Sequence, residues 1–310
     1  MNPDYIVGRF APSPTGPLHL GSLVAATGSY LFAKAAGGLW LMRMEDLDTP
    51  RVVPGSADDI LRTLELFGLK WDGEVIYQSS RGDLYEDALK ILLDSGAAYP
   101  CGCTRKEIRS LASAPHKGEE GPIYPGTCRN GLAPGQKPRA YRVKVPDETI
   151  IFDDLLRGEL RWNLAHTSGD FVVKRADGIF AYQLAVTVDD AIFGVNQVIR
   201  GNDLVASTPR QILLQRLLGH PTPLYGHLPL VTAPDGGKLS KRDNLVGLAL
   251  AGFDIQNAGK LMEGVLAFLG HKPPAELSGA PPEKQIEYAV SNFDPAQIPL
   301  QDRPFIDVTL

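Results

Sequence analysis

The amino-terminal part of the chain alternates between short apolar runs typical of buried strands and a longer segment with helical spacing. Apolar runs at residues 5–9 and 39–44 predict strands, and residues 18–34 between them place their apolar side chains at the period of a helix. A strand, a helix and a second strand in this order form a parallel pair joined by a right-handed crossover. We therefore expect an α/β fold, a doubly wound parallel sheet, with further helices at 55–67 and 84–94.

The turn after the first predicted strand has the composition of a phosphate-binding corner. Residues 14–21 read Pro-Thr-Gly-Pro-Leu-His-Leu-Gly, which places Gly21 in the first turn of the predicted helix. A glycine there lets a purine or ribose approach the backbone, and the free N–H groups of a helix start favour phosphate oxygens. His19 adds a hydrogen-bond donor. The alternative interpretation is a corner whose glycines and prolines only shape the turn.

A second segment suited to phosphate lies late in the chain. Residues 238–242, Lys-Leu-Ser-Lys-Arg, follow a predicted strand and a glycine-rich turn. Such a loop can close over a triphosphate and neutralise the charge of departing pyrophosphate, and Lys241 is the residue expected on the phosphates. A solvated basic loop is the alternative. The two segments lie about 220 residues apart and bracket a region large enough for a nucleotide cleft at the carboxyl edge of a sheet.

All three cysteines of the chain, Cys101, Cys103 and Cys128, fall in one stretch rich in glycine, proline and serine. A disulfide is not expected in a cytoplasmic chain. Clustered thiolates favour a structural zinc ion, which takes sulfur and nitrogen ligands in a closed tetrahedral site. His116 is the first candidate for the fourth ligand, because it lies between the cysteines.

Composition indicates a folded protein with an acidic balance. The chain is 44% hydrophobic and 22% charged, which is enough to bury a sizeable core. Its net charge of −5 means that a nucleic-acid partner would need a local basic rim. The amino terminus lacks the pattern of a signal peptide, and no segment approaches the length that spans a membrane. We therefore expect a cytoplasmic location without membrane association.

With both signatures in place, the chain resembles the class I aminoacyl-tRNA synthetases of the glutamate and glutamine group. Residues 12–22 match the HIGH region, although Ser22 stands where many members carry a second histidine, and residues 238–242 match the KMSKS loop. Residues 243–310 leave no room for an anticodon-reading domain. The chain is therefore similar to the branch without that domain, which activates glutamate with ATP and esterifies it onto the cyclopentene-diol of queuosine in the anticodon loop of tRNA(Asp).

The resemblance implies how ATP and the metal are bound. The ATP site would be formed with Mg²⁺ by five residues, His19, Gly21, Lys238, Ser240 and Lys241. Of these, His19 and Lys241 would be the catalytic residues that stabilise the pyrophosphate charge. For the zinc ion, the resemblance implies Tyr124, rather than His116, as the ligand beside the three cysteines.

The glutamate-binding residues of the family carry over onto five positions, Arg9, Ser13, Glu45, Tyr182 and Arg200. A substrate with two carboxylates needs two fixed cations, and the guanidinium fork suits both. Arg9 favours glutamate over glutamine, since an arginine that faced a neutral amide would stay unpaired. Which arginine binds which carboxylate stays open. Alternative interpretations pair Glu45 with Arg43 or Arg51, and Arg200 with Asp190 or Asp203.

The expected organisation has four regions. Residues 1–97 form the first half of a nucleotide-binding catalytic domain, and 98–165 an α/β insertion with the zinc site. Residues 166–242 form the second half, and 243–310 a short helical region. A monomer is favoured. Two further hypotheses remain: a glutamyl-tRNA synthetase core that charges tRNA(Glu) with a separate anticodon-binding partner, and a non-catalytic binding protein.

Overall fold

The computed structural model of the chain describes residues 5–104, 106–108, 123–232 and 255–305. Its strands are β1 (Val7–Phe10), β2 (Leu39–Met44), β3 (Ile76–Tyr77), β4 (Ala98–Cys101), β5 (Ala140–Val143), β6 (Thr149–Asp154), β7 (Gly158–Asn163), β8 (Phe171–Lys174), β9 (Gln197–Gly201), β10 (Leu224–Leu228), β11 (Val231–Thr232) and β12 (Arg303–Pro304). Its helices are α1 (Leu20–Ala35), α2 (Ser56–Leu66), α3 (Gly82–Asp94), α4 (Leu164–Thr167), α5 (Tyr182–Ile192), α6 (Thr208–Leu218), α7 (Ile255–Phe268) and α8 (Pro282–Ser291). The predicted order of strand, helix and strand at the amino terminus is confirmed.

Parallel strands form the centre of the molecule. Strands β1, β2 and β3 make one parallel sheet in that order, and β6, β10 and β9 are parallel in a second sheet that β7 extends. The free edge of β1 lies beside β9. There the amide of Val7 donates to Asn196 Oδ1 at 2.8 Å, and the amide of Asn196 donates to the carbonyl of Val7 at 3.1 Å. The α/β prediction with parallel sheets is therefore confirmed.

Helices cover both faces of these sheets. Trp40 and Met42 of β2 belong to a core that α1, α2, α7 and α8 share, whereas Leu41 between them packs against a second core under α3, α5 and α6. Successive residues of a strand point to opposite faces, so each core covers one face. Helix α1 lies very close to the sheet at Gly28, where the lack of a side chain permits the approach. A Cβ atom at this position would be only 2.5 Å from Leu228 Cδ1.

A smaller antiparallel sheet, in the order β4, β5 and β8, carries the cysteine region. Strands β6 and β7, which lie within residues 98–165, belong instead to the sheet with β9 and β10. Strand β8, which follows residue 165, pairs with β5. Hydrogen bonding therefore crosses the predicted domain boundary in both directions, and the boundary itself stays a prediction.

The carboxyl-terminal part of the described chain packs back onto the first helix. Residues of α7 and α8 share the core of α1, and β11 pairs with β12. Both helices lie in residues 243–310, for which a short helical region is predicted. Within the described ranges, no helix combines the length and apolar character that crossing a bilayer requires.

Candidate active site

A cavity of about 760 Å³ lies at the carboxyl ends of β1, β2, β9 and β10, beside the start of α1. Ligands of open parallel sheets bind at this edge. Seven of the predicted site residues line it: Arg9, Ser13, His19, Gly21, Glu45, Tyr182 and Arg200. The predicted residues Lys238, Ser240 and Lys241, and the alternative zinc ligand His116, lie outside the described residues. The structure thus brings the described residues of both predicted sites to one cavity.

His19 caps the amino terminus of α1. Its Nδ1 accepts the backbone N–H of Ser22 at 3.1 Å, and its Nε2 lies 3.1 Å from the Ser22 hydroxyl. Burial lowers the pKa of His19, although Asp203 opposes the shift, so the imidazole is neutral at physiological pH. A Cβ atom on Gly21 would be 3.2 Å from the ring. Glycine therefore lets the ring lie against the first turn of the helix.

A buried ion-pair network joins Arg9 and Glu45. Arg43 on β2 donates to Asp190 Oδ1 on α5 at 2.6 Å and to Glu45 Oε1 at 3.3 Å. Asp190 also accepts from Arg9, at 3.4 and 3.5 Å. Burial alone would raise the pKa of Asp190, but Arg43 and Arg9 hold it below its ordinary value. The alternative pairing of Glu45 with Arg43 is therefore observed, and this ion pair holds Glu45 at the cavity wall.

A further buried carboxylate, Asp189, belongs to the same ion-pair network. Asp189, which is fully buried, accepts from Gln78 at 2.8 Å, Arg81 at 2.7 Å and Tyr85 at 2.8 Å. Its Oδ2 also lies 3.9 Å from Arg43 Nε. Sequence reasoning named Asp190 only as an alternative partner of Arg200, and it missed Asp189. The available signal was a pair of adjacent carboxylates in an otherwise largely apolar helix, a pattern that calls for buried cationic partners.

Arg200 differs from the other arginines of the cavity. Its side chain is buried, and its Nη1, Nη2 and Nε donate to Gln211 at 2.9 Å, Thr208 at 2.8 Å and His227 at 3.2 Å. The Tyr182 hydroxyl lies 3.4 Å from Nη1. Across the described part of the chain, no carboxylate comes within ion-pair distance of Arg200, so the alternative pairings with Asp190 and Asp203 are not observed.

The buried network balances its own charges, whereas Arg200 has no carboxylate in direct contact among the described residues. Three cations, Arg9, Arg43 and Arg81, face three carboxylates, Glu45, Asp189 and Asp190. Arg200 adds one positive charge with neutral partners. Because a buried charge is costly unless it is paired, the Arg200 guanidinium is suited to bind a carboxylate of a ligand.

Replacing Asp190 with asparagine is expected to lower the free energy of unfolding by about 3 kcal/mol, because it leaves Arg43 and Arg9 buried without their shared carboxylate. Urea titration followed by circular dichroism measures the change. Asp177→Asn is the matched control, since Asp177 pairs with Arg175 at the surface and is expected to have little effect. Equal effects of the two substitutions would show that the network does not stabilise the fold.

The three cysteines meet in a separate cluster. Their Sγ atoms all lie within 4.8 Å of one another. The Tyr124 hydroxyl lies 3.4 Å from Cys101 Sγ and 3.5 Å from Cys103 Sγ, and it accepts the backbone N–H of Cys128 at 3.0 Å. Sulfur ligands of one tetrahedral zinc ion lie about 3.8 Å apart. The donor set is therefore compatible with a metal ion, with Tyr124 at the position of a fourth ligand.

The surroundings of the cluster act differently on its sulfur atoms: a guanidinium favours a thiolate at Cys101, whereas burial disfavours one at Cys103. Arg142 is buried, donates to Cys101 Sγ at 3.4 Å and lies 3.9 Å from the centre of the Tyr124 ring. Burial raises the pKa of the Cys103 thiol to about 11. A thiolate at Cys103 therefore calls for a cation among the sulfurs, which a zinc ion would supply.

These features place the chain in a family. Residues 5–272 match the family "tRNA synthetases class I (E and Q), catalytic domain", and the chain belongs to it. Among solved structures, the glutamate-tRNA synthetase of Elizabethkingia anophelis is 30% identical with a TM-score of 0.78, covering 96% of this chain and 68% of that one. A glutamate tRNA ligase of Elizabethkingia meningosepticum, solved in complex with its amino acid, is 29% identical with a TM-score of 0.79, covering 97% of this chain and 67% of that one.

More similar sequences narrow the family to one branch. A protein of Geobacter sulfurreducens named glutamyl-Q tRNA(Asp) synthetase is 60% identical, covering 97% of this chain and 96% of its own length. One of Thiobacillus denitrificans with the same name is 54% identical, covering 96% of this chain and 97% of its own length. The resemblance that the motifs indicated is therefore confirmed.

Proposed function

We propose that this chain is a ligase that activates glutamate with ATP and transfers the glutamyl group to queuosine in the anticodon of tRNA(Asp). The observation that carries the proposal is the buried Arg200, which has only neutral partners in a cavity of a class I synthetase fold. The side-chain carboxylate of glutamate would give Arg200 an anionic partner in direct contact, whereas the side chain of glutamine ends in a neutral amide.

In this proposal Arg200 and Arg9 bind the two carboxylates of glutamate and Glu45 binds its ammonium group. Ser13 and Tyr182 line the same cavity and would orient the substrate. Burial raises the pKa of Glu45, but Arg43 and Arg9 oppose the shift. The bound ammonium group would add a further positive charge beside this carboxylate and stabilise its ionised form.

ATP would bind along the start of α1, where His19 and Gly21 lie. The predicted residues Lys238, Ser240 and Lys241 would reach its phosphates from the late loop, together with Mg²⁺. The α-carboxylate of glutamate attacks the α-phosphorus of ATP, the bond to the β-phosphate breaks and pyrophosphate leaves. His19 and Lys241 stabilise the charge that develops on pyrophosphate.

The second step transfers the activated acyl group. A hydroxyl of the cyclopentene-diol attacks the carbonyl carbon of the mixed anhydride and loses its proton, the bond to the phosphate oxygen breaks, and AMP leaves. Two comparisons favour queuosine of tRNA(Asp) over tRNA(Glu) as the acceptor. The relatives named for it match this chain over nearly their full length, whereas the solved glutamate enzymes are longer.

The cysteine cluster completes the proposal. Cys101, Cys103, Cys128 and Tyr124 would hold one structural zinc ion that stabilises the loop after β4. The protein would act as a monomer in the cytoplasm, where ATP and tRNA are available.

An exchange assay and a charging assay test the proposal. We expect pyrophosphate exchange into ATP with glutamate but not with glutamine or aspartate. We also expect glutamate transfer to tRNA(Asp) that carries queuosine and none to the unmodified tRNA. Periodate oxidation of the diol should abolish the transfer. Charging of tRNA(Glu) at a comparable rate would overturn the choice of acceptor, and absence of exchange with all three amino acids would overturn activation.

A further inference from the structure

Two buried residues behind Arg200 have no part in the chemistry proposed so far. His227 on β10 and Asp154 at the end of β6 are fully buried as side chains, and His227 Nδ1 lies 2.5 Å from Asp154 Oδ2. On the other side of the ring, Nε2 lies 3.2 Å from Arg200 Nε. Because β6, β10 and β9 are neighbours in one sheet, the three side chains form a line that ends at the cavity.

The partners fix the position of the imidazole proton. A guanidinium Nε–H is always a donor, so Nε2 of His227 must be the acceptor. The single proton of the neutral ring is therefore on Nδ1, from which it is donated to Asp154. The other oxygen of Asp154 accepts the backbone N–H groups of Leu156 and Arg157, each at 3.1 Å. The turn between β6 and β7 thereby anchors the whole line.

Thr208 adds a second link between the same two groups. Its Oγ1 accepts from Arg200 Nη2 at 2.8 Å and lies 3.2 Å from His227 Nε2, to which the hydroxyl can donate. Nε and Nη2 of Arg200 are therefore both linked to Nε2 of His227, the first directly and the second through Thr208. The remaining nitrogen, Nη1, lies beside Tyr182 at the cavity wall.

We infer that His227 is a positioning residue for glutamate binding: in its Nδ1–H form, held by Asp154, it orients the Arg200 guanidinium towards the substrate carboxylate. This role rests on the proposed function, since it requires that Arg200 contacts glutamate. A second proton on the ring would place an N–H group against the Nε–H of Arg200. The guanidinium would then lose its orientation and glutamate would bind more weakly.

The charged groups around His227 set the pH at which its ring takes up a second proton. Asp154 faces the ring from β6, Arg157 from the following turn and Arg200 from β9, and the Tyr225 ring on β10 is stacked 6.4 Å away. Burial, with Arg200 and Arg157, lowers the pKa of His227 although Asp154 opposes the shift. The KM for glutamate is therefore expected to be constant near neutral pH and to rise as the solution becomes acidic.

Three variants test this role in glutamate-dependent pyrophosphate exchange. His227→Leu removes the acceptor and is expected to raise the KM for glutamate about tenfold or more. Its kcat should change by less than about threefold, because the lost contact serves binding. His227→Gln keeps an acceptor near the position of Nε2 and cannot take up a proton in this range. It should have a KM close to that of the wild type at neutral pH and a smaller rise in acid, to which protonation of Glu45 still contributes.

A control separates this role from the loss of any buried histidine. His271 is also buried, and its Nε2 accepts the backbone N–H of Asp294 at 3.0 Å, but it does not line the cavity. His271→Gln is expected to leave the KM for glutamate and its pH profile unchanged. An equal effect of His271→Gln and His227→Leu on KM would overturn the role.

Imidazole nitrogen NMR of the ligand-free protein gives a readout that needs no activity. We expect the proton of His227 on Nδ1, and a proton on Nε2 would overturn the positioning role even in an active enzyme. So would an unchanged KM in His227→Leu, or an acid-side rise in His227→Gln as large as that of the wild type. If His227→Leu fails to fold, the pH profile of KM in His227→Gln and the NMR spectrum still test the positioning role. Absence of exchange in the wild type, with the proton on Nδ1, would instead overturn the proposed function.

Discussion

Replacing Arg200 with leucine is expected to lower kcat/KM for glutamate in pyrophosphate exchange by about 10³-fold, because a substrate carboxylate would be desolvated without its cation. Arg200 is buried, and all of its partners among the described residues are neutral, so the substrate supplies the only negative partner in the proposal. ATP binding should persist, since His19 and Gly21 lie at the start of α1 and Arg200 lies on β9. Steady-state exchange kinetics measure the first effect and equilibrium binding of ATP the second.

Two further variants sharpen this result. Arg200→Gln removes the positive charge but keeps a polar side chain, so the preference for glutamate over glutamine should fall by at least about tenfold. Arg161→Leu is the control, because Arg161 pairs with Glu159 at the surface of β7. A wild-type value of kcat/KM in Arg200→Leu would show that this arginine does not bind the substrate.

Replacing Cys128 with alanine is expected to reduce bound zinc from one ion per chain to none. Structural zinc sites contribute about 10 to 16 kcal/mol of apparent binding free energy in small domains, so loss of the ion should also expose the loop after β4 to proteolysis. Elemental analysis of the purified protein measures the metal, and limited proteolysis with mass spectrometry locates the exposed segment.

The fourth ligand is tested by two single substitutions. Tyr124→Phe removes the hydroxyl that lies 3.4 Å from Cys101 Sγ, and it is expected to weaken zinc retention against a chelator. His116→Ala is expected to leave retention unchanged. The opposite pattern would assign the ligand to His116. A wild-type protein without zinc would overturn the metal site as a whole.

The parts of the fold that depend on local pattern were predicted well from the sequence. Strand β2 (Leu39–Met44) matches its predicted bounds, and helix α1 (Leu20–Ala35) lies within two residues of the predicted 18–34, because hydrophobic period and turn residues determine such elements. The cysteine cluster could be predicted for the same reason, since its residues lie close together in sequence. Strands β6 and β7 were not predicted, although β6 alternates strictly between exposed and buried residues.

Partner choice within the cavity could not be predicted. Sequence proximity suggested Asp203 for Arg200, but the observed partners come from α6 and β10, whose positions depend on the tertiary fold. The argument for glutamate was attached to Arg9, which in fact shares Asp190 with Arg43. The same physical reasoning applies better to Arg200. Only packing shows which of several buried arginines lacks a counter-charge.

The place of β1 between β2 and β9 has a consequence for biosynthesis. Val7 and Asn196 are 189 residues apart in sequence, yet their hydrogen bonds join the two central sheets. A ribosome releases the first strand long before its second neighbour exists, so one edge of β1 stays open while most of the polypeptide is translated. Closing so long a loop carries a large entropic cost and slows folding. The nascent chain can therefore complete the cavity beside α1 only after β9 and β10 have been synthesised.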